Sequence, residues 1–146
     1  MMKYCVLLLL FLSGKRLNGE EVKLHSSGGT AGHLEFHVPR EELEKVHWNP
    51  SDGKRAPLTR DQAIVIAQKA AVEGKLLMLN PTRLTVHLES INPAYLPKGK
   101  DRPIRGCTWF YVVTFMDDQK AWIGYRGTFV VTMSGTLATR EITPST

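Results

Sequence analysis

The side chains in this chain with most capacity for chemistry are its five histidines, two of which bracket a carboxylate in His33-Leu34-Glu35-Phe36-His37. In an extended strand alternate residues share a face, so His33, Glu35 and His37 would line up as ligands for a borderline metal such as zinc. At about 3.3 Å per residue the two imidazoles start about 13 Å apart, too far to share one ion. Only a neighbouring pair could chelate, with a third ligand from elsewhere, and His87 is the candidate. A solvated strand face accounts for the same residues more simply, and the sequence assigns neither a metal site nor a cofactor.

Nucleophilic and acid–base chemistry find less support. No nucleophile elbow, no phosphate-binding glycine loop and no cysteine-protease context surrounds any Ser or Cys. Met133-Ser134-Gly135 reads as a hairpin turn, with Ser134-Gly135 as its two central residues. Asp117-Asp118 lies in a turn, where Asp is favoured for local hydrogen bonding rather than proton transfer. Cys107, a lone thiol that is either buried and inert or a site for intermolecular pairing, heads an apolar strand, a place that favours the first. No residue is assigned a catalytic role.

One surface cluster carries functional content. Lys98, Lys100, Arg102 and Arg105, interrupted by Asp101, fall in a Pro-rich loop from Asn92 to Gly106. Long loops in compact domains are commonly binding elements, and this one would suit an acidic protein or peptide partner.

These residues need a scaffold, and the chain of 146 residues, 42% apolar and 23% charged, has room for one domain with a real core. Its start is different in kind. Met1-Met2-Lys3-Tyr4 leads into an unbroken apolar run from Cys5 to Leu12, then Ser13-Gly14. That run is too short to span a bilayer, which takes about 20 residues, but fits the core of a signal peptide. Residues 1–19 are therefore expected to be a signal segment, cleaved after Gly14 or Gly19, leaving a secreted or periplasmic protein that meets the membrane only before cleavage. Lys15 stands where lipid attachment would need a cysteine, so no lipid anchor is expected.

Cleavage also changes the charge argument. The formal charge of +5 loses Lys3, Lys15 and Arg16 and falls to about +2, so nucleic acid is not an expected partner. With Cys5 in the signal, Cys107 has no internal disulfide partner, and the fold must rest on packing.

Residues 20–32 end in Ser26-Ser27-Gly28-Gly29-Thr30-Ala31-Gly32 and read as a flexible lead to a single domain over 33–146. Leu34, Phe36 and Val38 alternate with polar residues as in a half-buried strand, and Arg40 to Trp48 can form a short helix. The clearest element begins at Thr59, which with Gln62 makes a capping box. Ala63, Ile66, Ala67 and Ala70 then form one apolar stripe, and Gly74, tolerant of positive φ, predicts an end after a helix over 60–73.

Strands are predicted at Leu84–Leu88, 107–116, 122–133 and Thr136–Ile142. Trp109, Tyr111, Val113 and Phe115 share one face of the second, and Phe110, Val112 and Met116 the other, so that strand should be central. The expected class is α+β: one main helix on an antiparallel meander of about four strands, with an extra N-terminal strand and short helix. What covers Phe110, Val112 and Val130 is left open between the N-terminal elements and a partner.

From Leu58-Thr59-Arg60-Asp61-Gln62-Ala63 through Thr108-Trp109-Phe110-Tyr111-Val112-Val113 to Val130-Val131-Thr132-Met133-Ser134-Gly135-Thr136-Leu137, the chain resembles PepSY-type domains. There a capped, Ala-rich helix precedes a Trp-containing strand and a terminal hairpin with glycine in its turn. The likeness covers a core of about 58–142. It implies a non-catalytic exported module of the kind associated with protease propeptides and inhibition, and it carries over no functional residue. The linker between the first two strands is longer than in that pattern, and Ser134 stands where an acidic or amide residue is usual. An alternative plan is a cystatin-like cone, an enzyme or ligand-binding protein with a pocket between helix and sheet. That plan needs polar residues on inward strand positions.

Overall fold

The computed structural model describes residues 20–29, 32–74, 83–96, 104–116 and 127–144. Residues 1–19, expected to be a signal segment, residues 117–120, expected to be a turn, and Lys98, Lys100 and Arg102 of the basic loop lie outside these residues. In chain order the elements are β1 (Glu21–Gly29), β2 (Gly32–Pro39), α1 (Arg40–Glu44), α2 (Arg60–Glu73), β3 (Arg83–Ser90), β4 (Trp109–Met116), β5 (Thr128–Thr132) and β6 (Thr139–Pro144). They form two antiparallel three-stranded sheets, β1-β2-β6 and β3-β4-β5. The mixed α and β class stands; the single four-stranded sheet does not.

The helix follows its sequence signals. Gln62 N–H donates to Thr59 Oγ1 at 3.2 Å and Thr59 N–H to Gln62 Oε1 at 2.9 Å, closing the capping box. Ala63, Ala67 and Ala71, spaced four apart, are fully buried, while Ile66 and Ala70 pack at the margins. Methyl side chains let the helix axis lie close to β4 and β5, against Tyr111, Val113, Phe115, Phe129 and Val131. Gly74 closes the last turn with its N–H on Ala70 O at 2.9 Å, but at φ −80°, so the helix end does not use a left-handed residue.

The opposite face of the same sheet is also closed, and by the chain itself. Phe110, Val112 and Val130 pack against Val22 and Leu24 of β1, Leu34, Phe36 and Val38 of β2, and Leu43 of α1. Residues 21–29, read as a flexible lead, are therefore a strand, and the domain begins before residue 33. Val22 and Leu24 are buried, and a bulge between Lys23 and His25 shifts the pairing with β2. Arg40 ties the start of this layer down: its N–H donates to Glu20 O at 2.9 Å, and its guanidinium reaches Glu20 and Glu44 at 3.0 Å each.

β6 joins the two sheets. After β5 the chain turns through Met133-Ser134-Gly135, where Thr132 N–H meets Thr136 O and Gly135 takes φ +84°. The loop is thus three residues long, a turn closed by a left-handed glycine, rather than the two residues expected. Leu137 bridges Val131 and Ala138 N–H reaches Val130 O, so the hairpin begins on β5. At Thr139 the strand leaves and pairs with His37 of β2. Ala138, small and buried, sits at that crossing. The span predicted as a strand at 122–133 is β5 from Thr128; residues 122–126 lie outside those described.

Candidate functional site

Three regions bear on function: the helix–sheet layer, the base of the basic loop, and the solvent face of β1-β2-β6. In the first, the space a cystatin-like pocket would need is filled by Tyr111, Val113, Phe115, Phe129, Val131 and Met133 against the helix alanines. Its polar group is spoken for, since Tyr111 OH donates to Leu58 O at 3.1 Å, and burial pushes that phenol's pKa up. Cys107 lies in the same layer. Burial pushes its thiol up as well, which disfavours the nucleophilic thiolate, and its N–H donates to Leu43 O at 2.9 Å. The preceding Gly106 passes so close to the Leu43 backbone that a Cβ would collide with it, which explains the residue type.

The basic loop is pinned where it leaves and rejoins the fold. Asn92 Oδ1 accepts from Ala94 N–H at 2.9 Å and starts a short 3-10 turn over Pro93–Tyr95. Tyr95, Leu96 and Ile104 pack onto the inter-sheet core, and Ile91 N–H donates to Thr108 O across the loop's mouth. Arg105 is exposed. Of the four predicted contact residues it alone is among those described.

The third region gathers charge. On the outer face of β2, Glu35 and His37 stand two residues apart, and Glu141 of β6 is the direct cross-strand partner of Glu35. His37 Nε2 lies 3.3 Å from Glu35 Oε2 and 3.8 Å from Glu141 Oε2. Lys23 of β1 donates to the other Glu35 oxygen, Oε1, at 2.7 Å and rests 4.5 Å from the centre of the Tyr95 ring. Hydrogen bonding from Lys23, the largest effect, holds the Glu35 carboxyl below its ordinary range, with His37 acting in the same direction. Lys23 thus links the base of the loop to this cluster.

Sequence reasoning places Glu35 and His37 on one face but looks to His87 for a third ligand. His87 is on β3, in the other sheet, opposite Val112. Glu141 is the residue that was missed; its position opposite Glu35 follows from the β2–β6 pairing, for which the sequence carries no local signal. His33 shares the outer face but pairs with Thr143, beyond Glu141.

Two further polar contacts are structural. His25 Nδ1 and Glu89 Oε2, 3.0 Å apart, connect the edges of the two sheets. Glu42 of α1 accepts from Thr136 Oγ1 at 2.7 Å and Ser134 Oγ at 3.4 Å, tying the helix to the β5–β6 turn. Hydrogen bonds from Lys45, then Thr136, hold the Glu42 carboxyl below its ordinary range. That contact gives Ser134 a partner in the fold, in the place where the PepSY pattern has an acidic or amide residue.

No family model, curated protein or solved structure matches this chain.

Proposed function

We propose that the protein is an exported, non-catalytic binding or inhibitory module acting on a protein or peptide. In this reading residues 1–19 are removed on export, the mature protein is secreted or periplasmic, and residues of about 58–142 form a PepSY-like core. The observation that carries it is the filling of the helix–sheet layer by Tyr111, Val113, Phe115, Phe129 and Val131. A small-molecule or catalytic cavity would have to displace that core, so recognition is left to the surface. The loop from Asn92 to Gly106 is the surface we favour, because it concentrates Lys98, Lys100, Arg102 and Arg105 and its base is held by Tyr95, Leu96 and Ile104. Its charges would steer an acidic partner while contributing little to folding.

The test replaces all four basic residues with glutamate. The variant should melt as the parent does but capture less partner from an extract of exported proteins, most clearly at low salt. Equal capture by the two proteins would reject the loop as the contact. N-terminal sequencing of the exported protein checks the other half of the reading: a start at Lys15 or Glu20 supports it, and a start at Met1 or Met2 contradicts it.

A further inference from the structure

We propose that Glu35, His37 and Glu141 bind a divalent transition metal, with zinc the best-fitting ion, on the solvent face of β1-β2-β6. Each offers one ligand atom, and the three atoms lie within 4.8 Å of one another. Zinc bonds of about 2.0–2.2 Å to nitrogen and oxygen in a tetrahedron place neighbouring ligand atoms about 3.3–3.5 Å apart. His37 Nε2 already stands 3.3 Å from Glu35 Oε2 and 3.8 Å from Glu141 Oε2, so small side-chain rotations suffice.

The surroundings fit the ion in three ways. First, Glu35 and Glu141 are direct cross-strand partners on one face, an arrangement in which like charges repel and a dication between them would relieve the repulsion. Second, Lys23 engages only Oε1 of Glu35, so Oε2 is left for the metal while the carboxylate is oriented from behind, as ligating carboxylates commonly are. Third, Glu35 and His37 stand on β2, whose other face carries Leu34, Phe36 and Val38, all fully buried, which limits how far the backbone of these two ligands can move. Three protein ligands leave a fourth position to water, the pattern of an open site. An imidazole with two carboxylates selects zinc and its neighbours over magnesium or calcium, which favour all-oxygen shells. Binding exchanges any proton on His37 Nε2 for the ion and releases that proton to solvent. The site does not depend on which partner the basic loop takes.

Titration of the purified protein with zinc chloride, followed by calorimetry and thermal melting, tests this. One ion per chain should bind, with an affinity on the order of micromolar, weaker than closed four-ligand sites. At a hundredfold excess over Kd the melting temperature should rise by several degrees. His37→Gln should remove the binding, and Glu141→Gln, at an exposed position that folding does not need, should weaken it roughly tenfold or more. His33→Gln, on the same face but outside the cluster, should change nothing. Cobalt in place of zinc should show the visible absorption of a four-coordinate ion, lost in Glu141→Gln, which gives a readout even if His37→Gln does not fold. No saturable binding below about 100 µM zinc, an affinity unchanged in Glu141→Gln, or binding that vanishes in His33→Gln would overturn the proposal.

Discussion

Replacing Phe110 with alanine should be among the most damaging single changes in this protein, and clearly worse than replacing its neighbour Trp109. The two residues point to opposite faces of β4. Phe110 is fully buried between the sheets, whereas Trp109, at the start of the strand, is only partly buried beside the helix layer. Full burial of a phenylalanine side chain is worth about 1.5–3 kcal/mol in transfer alone. The cavity left among Leu34, Phe36, Val112 and Val130 adds to this, since both sheets are held by their own pairing and cannot collapse onto it. The sum falls in the range of about 3–5 kcal/mol seen for Phe→Ala in cores. Against a total stability of about 5–15 kcal/mol, that is a large share. Trp109→Ala should cost about 1–2 kcal/mol, because part of its ring already faces water. Urea titration of both variants, at constant m-value, measures the difference. A Phe110→Ala cost within about 0.5 kcal/mol of zero, or one below that of Trp109→Ala, would mean the N-terminal sheet does not cover this face.

Acid should destabilise the protein partly through Glu35 and Glu42, whose carboxyls are held below their ordinary range when folded. A depressed folded pKa gives stability that is complete above the unfolded value of about 4.3 and is lost as pH falls through the folded value. Glu42→Gln should therefore cost about 1–2 kcal/mol near neutrality, through its bonds to Thr136 and Lys45, and the gap from the parent should close as pH falls below the ordinary glutamate range. A gap that stays constant throughout the acid titration would show that the charge is not what matters. Thr59→Ala removes the helix cap and should cost about 1 kcal/mol by denaturant titration, and an effect near zero would mean that the capping box adds nothing to stability.

How far the fold can be read from the sequence depends on whether each element's signal is local. The helix over Arg60–Glu73 is legible to the residue, because its cap and its stripe lie within its own span. β4 is legible for the same reason, with both faces apolar, and its inner face raises the question of what covers Phe110, Val112 and Val130. β1 is not legible: Val22 and Leu24 are its only buried apolar residues, the bulge at Lys23/His25 breaks the alternation, and Ser26–Gly29 has the composition of a linker. Its order comes from pairing with β2. The departure of β6 to the other sheet is likewise tertiary, since it follows from pairing with β2 and carries no local signal. Trp109 shares a face with the buried Tyr111, Val113 and Phe115 but is only partly buried, since a large ring at a strand end can remain partly wet. In the charged cluster, Glu35 and His37 are visible as neighbours on one strand, but Glu141 can be found only through the β2–β6 register.

Hydrogen exchange by NMR at single amides most directly tests whether the chain covers its own central sheet and so leaves recognition to the surface. If β1 belongs to the fold, protected amides in β1 and β2 should open with free energies close to those of β4, as parts of one cooperative unit. Amides of residues 21–29 that exchange at the rate of an unstructured chain, while β4 stays protected, would contradict it. The face bearing Phe110, Val112 and Val130 would then be open to a partner.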